Sequence, residues 1–311
     1  MKKSEFAFIG DIASMFGTLP HHGFEPIGDD CTVISMGDDA LVMTTDMLVE
    51  DVHFLRAAST AEEVGRKSLM VNLSDVAAMG ATPVATLLSL SLPESAQGEW
   101  SEAFMRGYYE ASREAGVALV GGDTTASRDR ISINVVAIGR VQGGNIKRRS
   151  AAKVGDIIAV TGKLGTSSKG LVDIMFGDLD TVAAKHHRVA QARIAEGVWL
   201  GGRTEVHAMM DISDGIASDI KHIMELSKVG AEIELSTIPT DYDIRYATTG
   251  GEDYELLLTV DAASFDRVAE ALKEATGTTL TAIGRITDSE ELQWLENGAP
   301  ATVDLKGFTH F

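Results

Sequence analysis

The chain has 311 residues, enough for two cores rather than one. Its net charge of −19 excludes nucleic acid or an anionic membrane as a general partner, because both need a basic face. A single cysteine, Cys31, excludes an intramolecular disulfide and a multi-cysteine metal site, and fits a reducing compartment. No run approaches the roughly 18 apolar residues of a membrane span. The start, Met1-Lys2-Lys3-Ser4-Glu5-Phe6, has no apolar core because Glu5, Gly10 and Asp11 interrupt it. The expected setting is cytoplasmic, away from membranes.

Helical spacing of Phe6, Ile9, Ile12, Ala13 and Phe16 predicts a helix over 4–17 that ends at Gly17. Cys31 to Met36 and Leu41 to Thr45 read as strands joined by Gly37-Asp38-Asp39, which puts Asp46 at a strand end. Thr60 and Glu63 stand at capping-box spacing and open a helix to about Met79, apolar nearly all round, with Asp75 on it. Pro83 to Leu92 predicts a strand, and about 98–115 a helix with Trp100, Phe104, Tyr108 and Ala111 on one face. Val117 to Val120 reads as a short strand running into Gly121-Gly122-Asp123, and Ile131 to Val141 as a longer one.

Gly143-Gly144-Asn145 and Lys147-Arg148-Arg149 close the first domain, expected at 1–146, with a second at 147–311. The second opens on a strand, Asp156 to Val160, then a glycine-punctuated loop from Gly162 to Gly170 leading into a helix. Helical patterns follow at about 180–200, 215–228 and 263–275, and strands at 206–212, 231–236, 254–260, 280–286 and 291–296. Mixed order without strict βαβ alternation predicts two α+β domains rather than a doubly wound sheet.

The chemistry lies in the acids. Asp30, Asp46, Asp75, Asp123, Asp211 and Asp214 each stand beside Gly, Ser or Thr, in turn-like or strand-end settings. Such acids either cap turns and helices locally or hold hard cations such as Mg²⁺ against a polyphosphate. Phosphate-loop, dinucleotide and protein-kinase signatures are absent, and neither Cys31 nor any serine has the context of a covalent nucleophile. The loop from Gly162 to Gly170 is a flexible turn or a backbone nest for phosphate. Lys147-Arg148-Arg149 is a solvated linker or supplies a phosphate-binding Arg. His53 is structural or positions a ligand, whereas His21-His22 and His186-His187 lack metal-site spacing.

Taken together, several motifs resemble the thiamine-monophosphate kinases of the aminoimidazole-ribonucleotide-synthetase-like superfamily. They are Gly28-Asp29-Asp30, Thr44-Thr45-Asp46, Asp51-Val52-His53-Phe54, the stretch from Val71 to Ala81, Gly121-Gly122-Asp123-Thr124-Thr125, Asp211-Ile212-Ser213-Asp214-Gly215 and Gly250-Gly251-Glu252-Asp253-Tyr254-Glu255-Leu256. The resemblance extends to Lys306-Gly307-Phe308-Thr309-His310-Phe311. It implies a two-domain AIR-synthetase-like fold, an N-terminal α/β domain with a dimerising mixed sheet and a C-terminal α+β domain, in a homodimer. It implies ATP-dependent phosphorylation of thiamine monophosphate to the diphosphate by direct in-line transfer, assisted by several Mg²⁺ ions.

By motif match, Asp30, Thr44, Thr45, Asp46, Asp75, Asp123, Asp211 and Asp214 would hold Mg²⁺. ATP would meet Gly121, Gly122, Arg149, Ser213 and Tyr108 or Tyr109. Substrate would meet His53, Glu252 and Phe308. Two departures stand out: both prolines of the family's Arg-Pro-x-Pro-Arg-like segment are missing around Val189 to Arg193, and Phe308 replaces Tyr or Trp. Another superfamily member acting on a different phosphorylated small molecule is the alternative, and an ATP- or metal-binding regulatory subunit the non-enzymatic one.

Overall fold

A computed structural model describes residues 4–301 together with 303, 305, 307 and 308. The N-terminal Met1-Lys2-Lys3 and, of the C-terminal motif, Lys306, Thr309, His310 and Phe311 lie outside the described residues. Helix α1 (Glu5–Phe16) starts at Ser4, whose side chain accepts from the Ala7 N–H. Its apolar spacing is as predicted, yet none of its residues is buried by the rest of the described chain.

The first sheet contains β1 (Thr32–Met36), β2 (Asp39–Val49), β3 (Thr82–Leu92), β4 (Ala118–Ala126) and β5 (Ser132–Gln142), ordered β1-β2-β5-β3-β4. Only the β3–β4 pair is parallel, so the sheet is mixed. Alternation along β2 turns Ala40, Val42 and Leu48 into the core. Helix α2 (Ala61–Ala78) opens on the full capping box: Thr60 N donates to Glu63 Oε2 (2.8 Å), and Glu63 N to Thr60 Oγ1 (3.2 Å). It packs on β2 and β5, against α3 (Glu99–Ala115), and across to the second domain.

The second sheet is β12-β11-β8-β10-β6-β9-β7, from β6 (Ile157–Thr161), β7 (Val206–Asp211), β8 (Gly230–Glu234), β9 (Leu256–Val260), β10 (Leu280–Thr287), β11 (Leu292–Glu296) and β12 (Ala299–Pro300). Its helices are α4 (Thr166–Met175), α5 (Val182–Arg188), α6 (Ile194–Gly201), α7 (Ile216–Ser227), α8 (Ile244–Thr249) and α9 (Phe265–Thr276). Small residues let α2 approach both neighbours closely. A methyl group added at Gly65 would overlap the Phe104 carbonyl, one at Gly107 the Glu62 backbone, and one at Gly197 the Ala77 carbonyl. At Gly80 it would lie 2.9 Å from the Gly201 Cα.

Three expectations change. The strand expected to end at Thr45 continues to Val49, so Asp46 lies inside β2 rather than at its end. The short strand before Gly121 runs on through both glycines and Asp123 to Ala126. The single helical pattern over 180–200 is two helices, α5 and α6, because Arg188 and Arg193 are drawn to distant acids. Arg188 Nε donates to Glu63 (3.1 Å), and Arg193 Nε to Glu255 Oε2 (2.7 Å). These pairs fix the segment that has lost its prolines.

Candidate active site

Helix α2 organises a cavity of about 860 Å³ between the domains, because one of its faces looks toward the second sheet. Lys67, Val71, Ser74, Asp75 and Ala78 follow helical spacing along that face. Ser74 Oγ donates to Asp211 Oδ2 on β7 (2.6 Å), and Lys67 Nζ to Glu252 Oε2 (2.9 Å). Lys67 and Asp75 are eight positions apart, about 12 Å along the helix axis.

At the Asp75 end, carboxylate oxygens of Asp30, Asp75 and Asp211 lie within 4.8 Å of one another. Thr44 Oγ1 donates to Asp75 Oδ2 (2.6 Å), and Asn72 Oδ1 accepts the Asp46 N–H (2.8 Å). Burial, then Asp214 and Asp30, pushes Asp46 up to about 6. Burial and Asp30 push Asp211 up to about 8, and burial with Asp46, Asp211 and Asp30 raises Asp75 well above its ordinary value. Acids that raise one another this way gather more negative charge than the arginine beside them, Arg149 on Asp30, answers. Oxygen donors from three elements at this spacing fit a hard divalent cation.

Not every predicted ligand joins them. Thr45 is exposed on the opposite face of β2 from Thr44 and Asp46, where its Oγ1 accepts from Asn134 Nδ2 (2.8 Å). Its side chain therefore cannot reach the cluster, a correction that strand alternation explains. Asp123 is also apart. Asp46 pairs with Val135, Val135 with Leu88 and Leu88 with Gly122, so three strand spacings, about 14 Å, separate Asp46 from the Gly121-Gly122-Asp123 end of the row. These residues are exposed on β4, with Asp123 Oδ1 accepting the Thr124 N–H (2.9 Å).

Of the two tyrosines, Tyr108 is core, 1% exposed, its hydroxyl donating to Thr86 Oγ1 (2.8 Å), whereas Tyr109 is exposed. Tyr108 thus has no face for a nucleotide. The basic run is anchored rather than solvated. Lys147 is buried on the Arg203 and Val206 carbonyls (2.7 and 2.8 Å), Arg148 pairs with Glu25 (2.5 Å), and Arg149 with Asp30 (2.6 Å). Arg149 therefore stands against the acid cluster.

The loop from Gly162 to Gly170 keeps its donors at home. Asp253 accepts from Gly165 N (2.7 Å) and Ser167 N (3.2 Å) at the start of α4, which removes the phosphate-nest alternative there. The Asp211–Gly215 loop differs. Neither Ser213 nor Asp214 caps α7, which starts at Gly215 with φ +95°. Both line the cavity.

At the Lys67 end, Glu252 adopts a left-handed φ of +64° and its N–H donates to the Ser213 carbonyl (2.7 Å). Lys67 Nζ also donates to the His53 carbonyl (3.1 Å). His53 Nδ1 accepts the Val49 N–H (3.0 Å), so the neutral ring carries its proton on Nε2 and is no base through Nδ1. Phe308, half exposed, lines the same cavity, and its N–H donates to the Asp214 carbonyl (3.1 Å). Ser74, Lys67 and His187 were missed in the sequence. The one available signal was Lys67, a lone lysine on a helix read as buried. Asp219 was missed too: its carboxylate is buried on α7, and burial with Asp214 and Asp211 raises it.

The family model for the AIR synthase related protein N-terminal domain matches residues 28–141, and that for the C-terminal domain residues 153–294. A thiamine-monophosphate kinase of Escherichia coli (strain K12) is 36% identical over 304 residues, 92% of this chain and 91% of that protein. One from Buchnera aphidicola subsp. Schizaphis graminum is 34% identical over the full length of both. A solved structure described as AaThiL complexed with AMPPCP and TMP superposes with TM-score 0.86 at 31% identity, covering 100% of this chain and 99% of that one.

Proposed function

The chain belongs to the AIR synthase related family and, within it, to the thiamine-monophosphate kinases, and from that premise we propose how its residues carry out the transfer. ATP and thiamine monophosphate meet in the cavity beside α2. The terminal phosphorus of ATP forms a bond to a phosphate oxygen of thiamine monophosphate as its bond to the bridging oxygen breaks. ADP leaves with the electron pair, and thiamine diphosphate results.

A phosphomonoester has a second pKa of about 6, so the attacking oxygen is already ionised at neutral pH and no general base is required. The task left to the protein is to bring two anions together in line. Asp30, Asp46, Asp75, Asp211 and Asp214 would hold Mg²⁺, which when bound neutralises the phosphates and the charge spread over the transferring group. Arg149 offers a fork to the nucleotide phosphates from beside Asp30. Gly121 and Gly122 on β4 and Tyr109 on α3 would meet ATP, while His53, Glu252 and Phe308 would meet the substrate.

The observation that carries this reading is the gathering of Asp30, Asp75 and Asp211, from both domains, with oxygens within 4.8 Å of one another beside one cavity. Incubation with ATP, Mg²⁺ and thiamine monophosphate should yield the diphosphate. Phosphorylation of free thiamine alone, or of an unrelated phosphate ester alone, would sink the substrate assignment. Strand β4, exposed along all nine residues, supports a homodimer in which two such edges are covered. Equilibrium ultracentrifugation should give twice the chain mass.

A further inference from the structure

Lys67 is 2% exposed, and a buried ammonium needs a partner that compensates it. It has one in Glu252, from the other domain and 185 residues away. His187 Nδ1 lies 3.2 Å from Glu252 Oε2 and 2.9 Å from Ser167 Oγ. Burial, then the nearby Lys67 charge, pushes His187 down to about 4, so the ring is neutral at pH 7. His187 Nδ1 shares its hydrogen bond with Ser167 Oγ, which holds the ring beside Glu252. Lys67 and His187 lower Glu252 despite its burial, which keeps it ionised.

Both contacts fall on the same oxygen, Oε2. Oε1 is left to a ligand, and Glu252, Lys67 and His187 all line the cavity. Because Lys67 already neutralises the carboxylate, Oε1 acts as an oriented hydrogen-bond acceptor more than as a counter-ion. Lys67, the partner of Glu252, lies about 12 Å along α2 from Asp75, so the two ends of one cavity are separated by the length of an extended small molecule.

We propose that Lys67 is a positioning residue for the ring end of the substrate: it pins Oε2 of Glu252 so that Oε1 receives the amino group of the aminopyrimidine. This rests on the kinase reading above, which is tested separately on the unaltered protein. If that protein neither binds nor phosphorylates thiamine monophosphate, the kinase reading falls before Lys67 is at issue.

Given activity, Lys67→Met should raise the KM for thiamine monophosphate at least about tenfold, with kcat and the KM for ATP within about twofold. Glu252→Gln should do the same, and the double variant should be no worse than Glu252→Gln alone, because Lys67 acts through Glu252. Lys67→Arg, which keeps the charge and fold should Lys67→Met fail to fold, should restore most of the affinity. Oxythiamine monophosphate, which carries a carbonyl in place of the amine, should bind about tenfold more weakly than thiamine monophosphate to the unaltered protein and nearly equally to the Lys67 variant. A fall in kcat with KM unchanged, an equal rise in both KM values, multiplied effects in the double variant, or no discrimination against the oxo analogue would each overturn the proposal.

Discussion

The two ends of α2 treat buried negative charge in opposite ways. Around Asp75 several carboxylates crowd together and push one another's proton affinity up. Around Lys67 a single carboxylate, Glu252, is held low by an ammonium at 2.9 Å and by His187. The first end has Arg149 against Asp30 but more carboxylates than cations, so it suits a further cation and the phosphates that follow it. The second is complete in itself and has only geometry to offer. In the proposed reading, one helix assigns the reacting end and the recognising end of a substrate to its own two ends.

The largest expected effect comes from the acid-rich end. Asp75→Asn or Asp46→Asn should lower turnover at least about 10³-fold with the fold intact by circular dichroism. Activity retained in both variants would break the contrast outright. Next is the dependence of stability on pH. In the metal-free chain Asp46 titrates near 6 and Asp211 near 8, both above their ordinary range. From roughly pH 4, where unfolded Asp titrates, to pH 8, the folded chain then binds more protons than the unfolded one, so stability falls as pH rises. The metal-free Tm should drop between pH 5 and pH 8, and Mg²⁺ should raise Tm far more at pH 8 than at pH 5. A Tm flat across that window would mean these acids are compensated as Glu252 is.

Asp253 supplies a control of a third kind, a carboxylate pushed up to about 7 by burial yet satisfied by two backbone N–H groups. Asp253→Ala should cost about 1–2 kcal/mol in urea unfolding, with the same loss in Mg²⁺ and in chelator. The smallest effect is expected from Tyr108→Phe, which removes one buried hydrogen bond and should cost about 1 kcal/mol with the KM for ATP unchanged. A raised KM for ATP would return Tyr108 to the nucleotide and blur the distinction between core and site.

That Asp30, Asp75 and Asp211 matter was legible because each keeps small, turn-forming company, and that company is written locally; the structure brings the three together. Capping at Thr60 and Glu63 was legible for the same reason. What escaped depended on distant pairing. Asp46 resembled a strand end because nothing nearby showed that Asn72, on another element, accepts its N–H. The break between α5 and α6 escaped because apolar spacing runs across it while Glu63 and Glu255 draw the arginines away. Lys67 and His187 escaped because their shared partner lies in the other domain. Thr45 was placed by a motif match that strand alternation overrides.

The glycines along α2 bear on how the gene for such a chain tolerates change. At Gly65 and Gly107 the helix meets α3 backbone to backbone, and at Gly197 and Gly201 it meets α6 the same way. Any side chain at these positions displaces the rod that carries Asp75, and a displacement of about 1 Å can lower a rate roughly 10²-fold. Alanine at Gly197 or Gly201 would then change none of the clustered acids and still read out as a catalytic defect. For this chain, the positions most sensitive to inherited variation include some that touch neither nucleotide nor substrate.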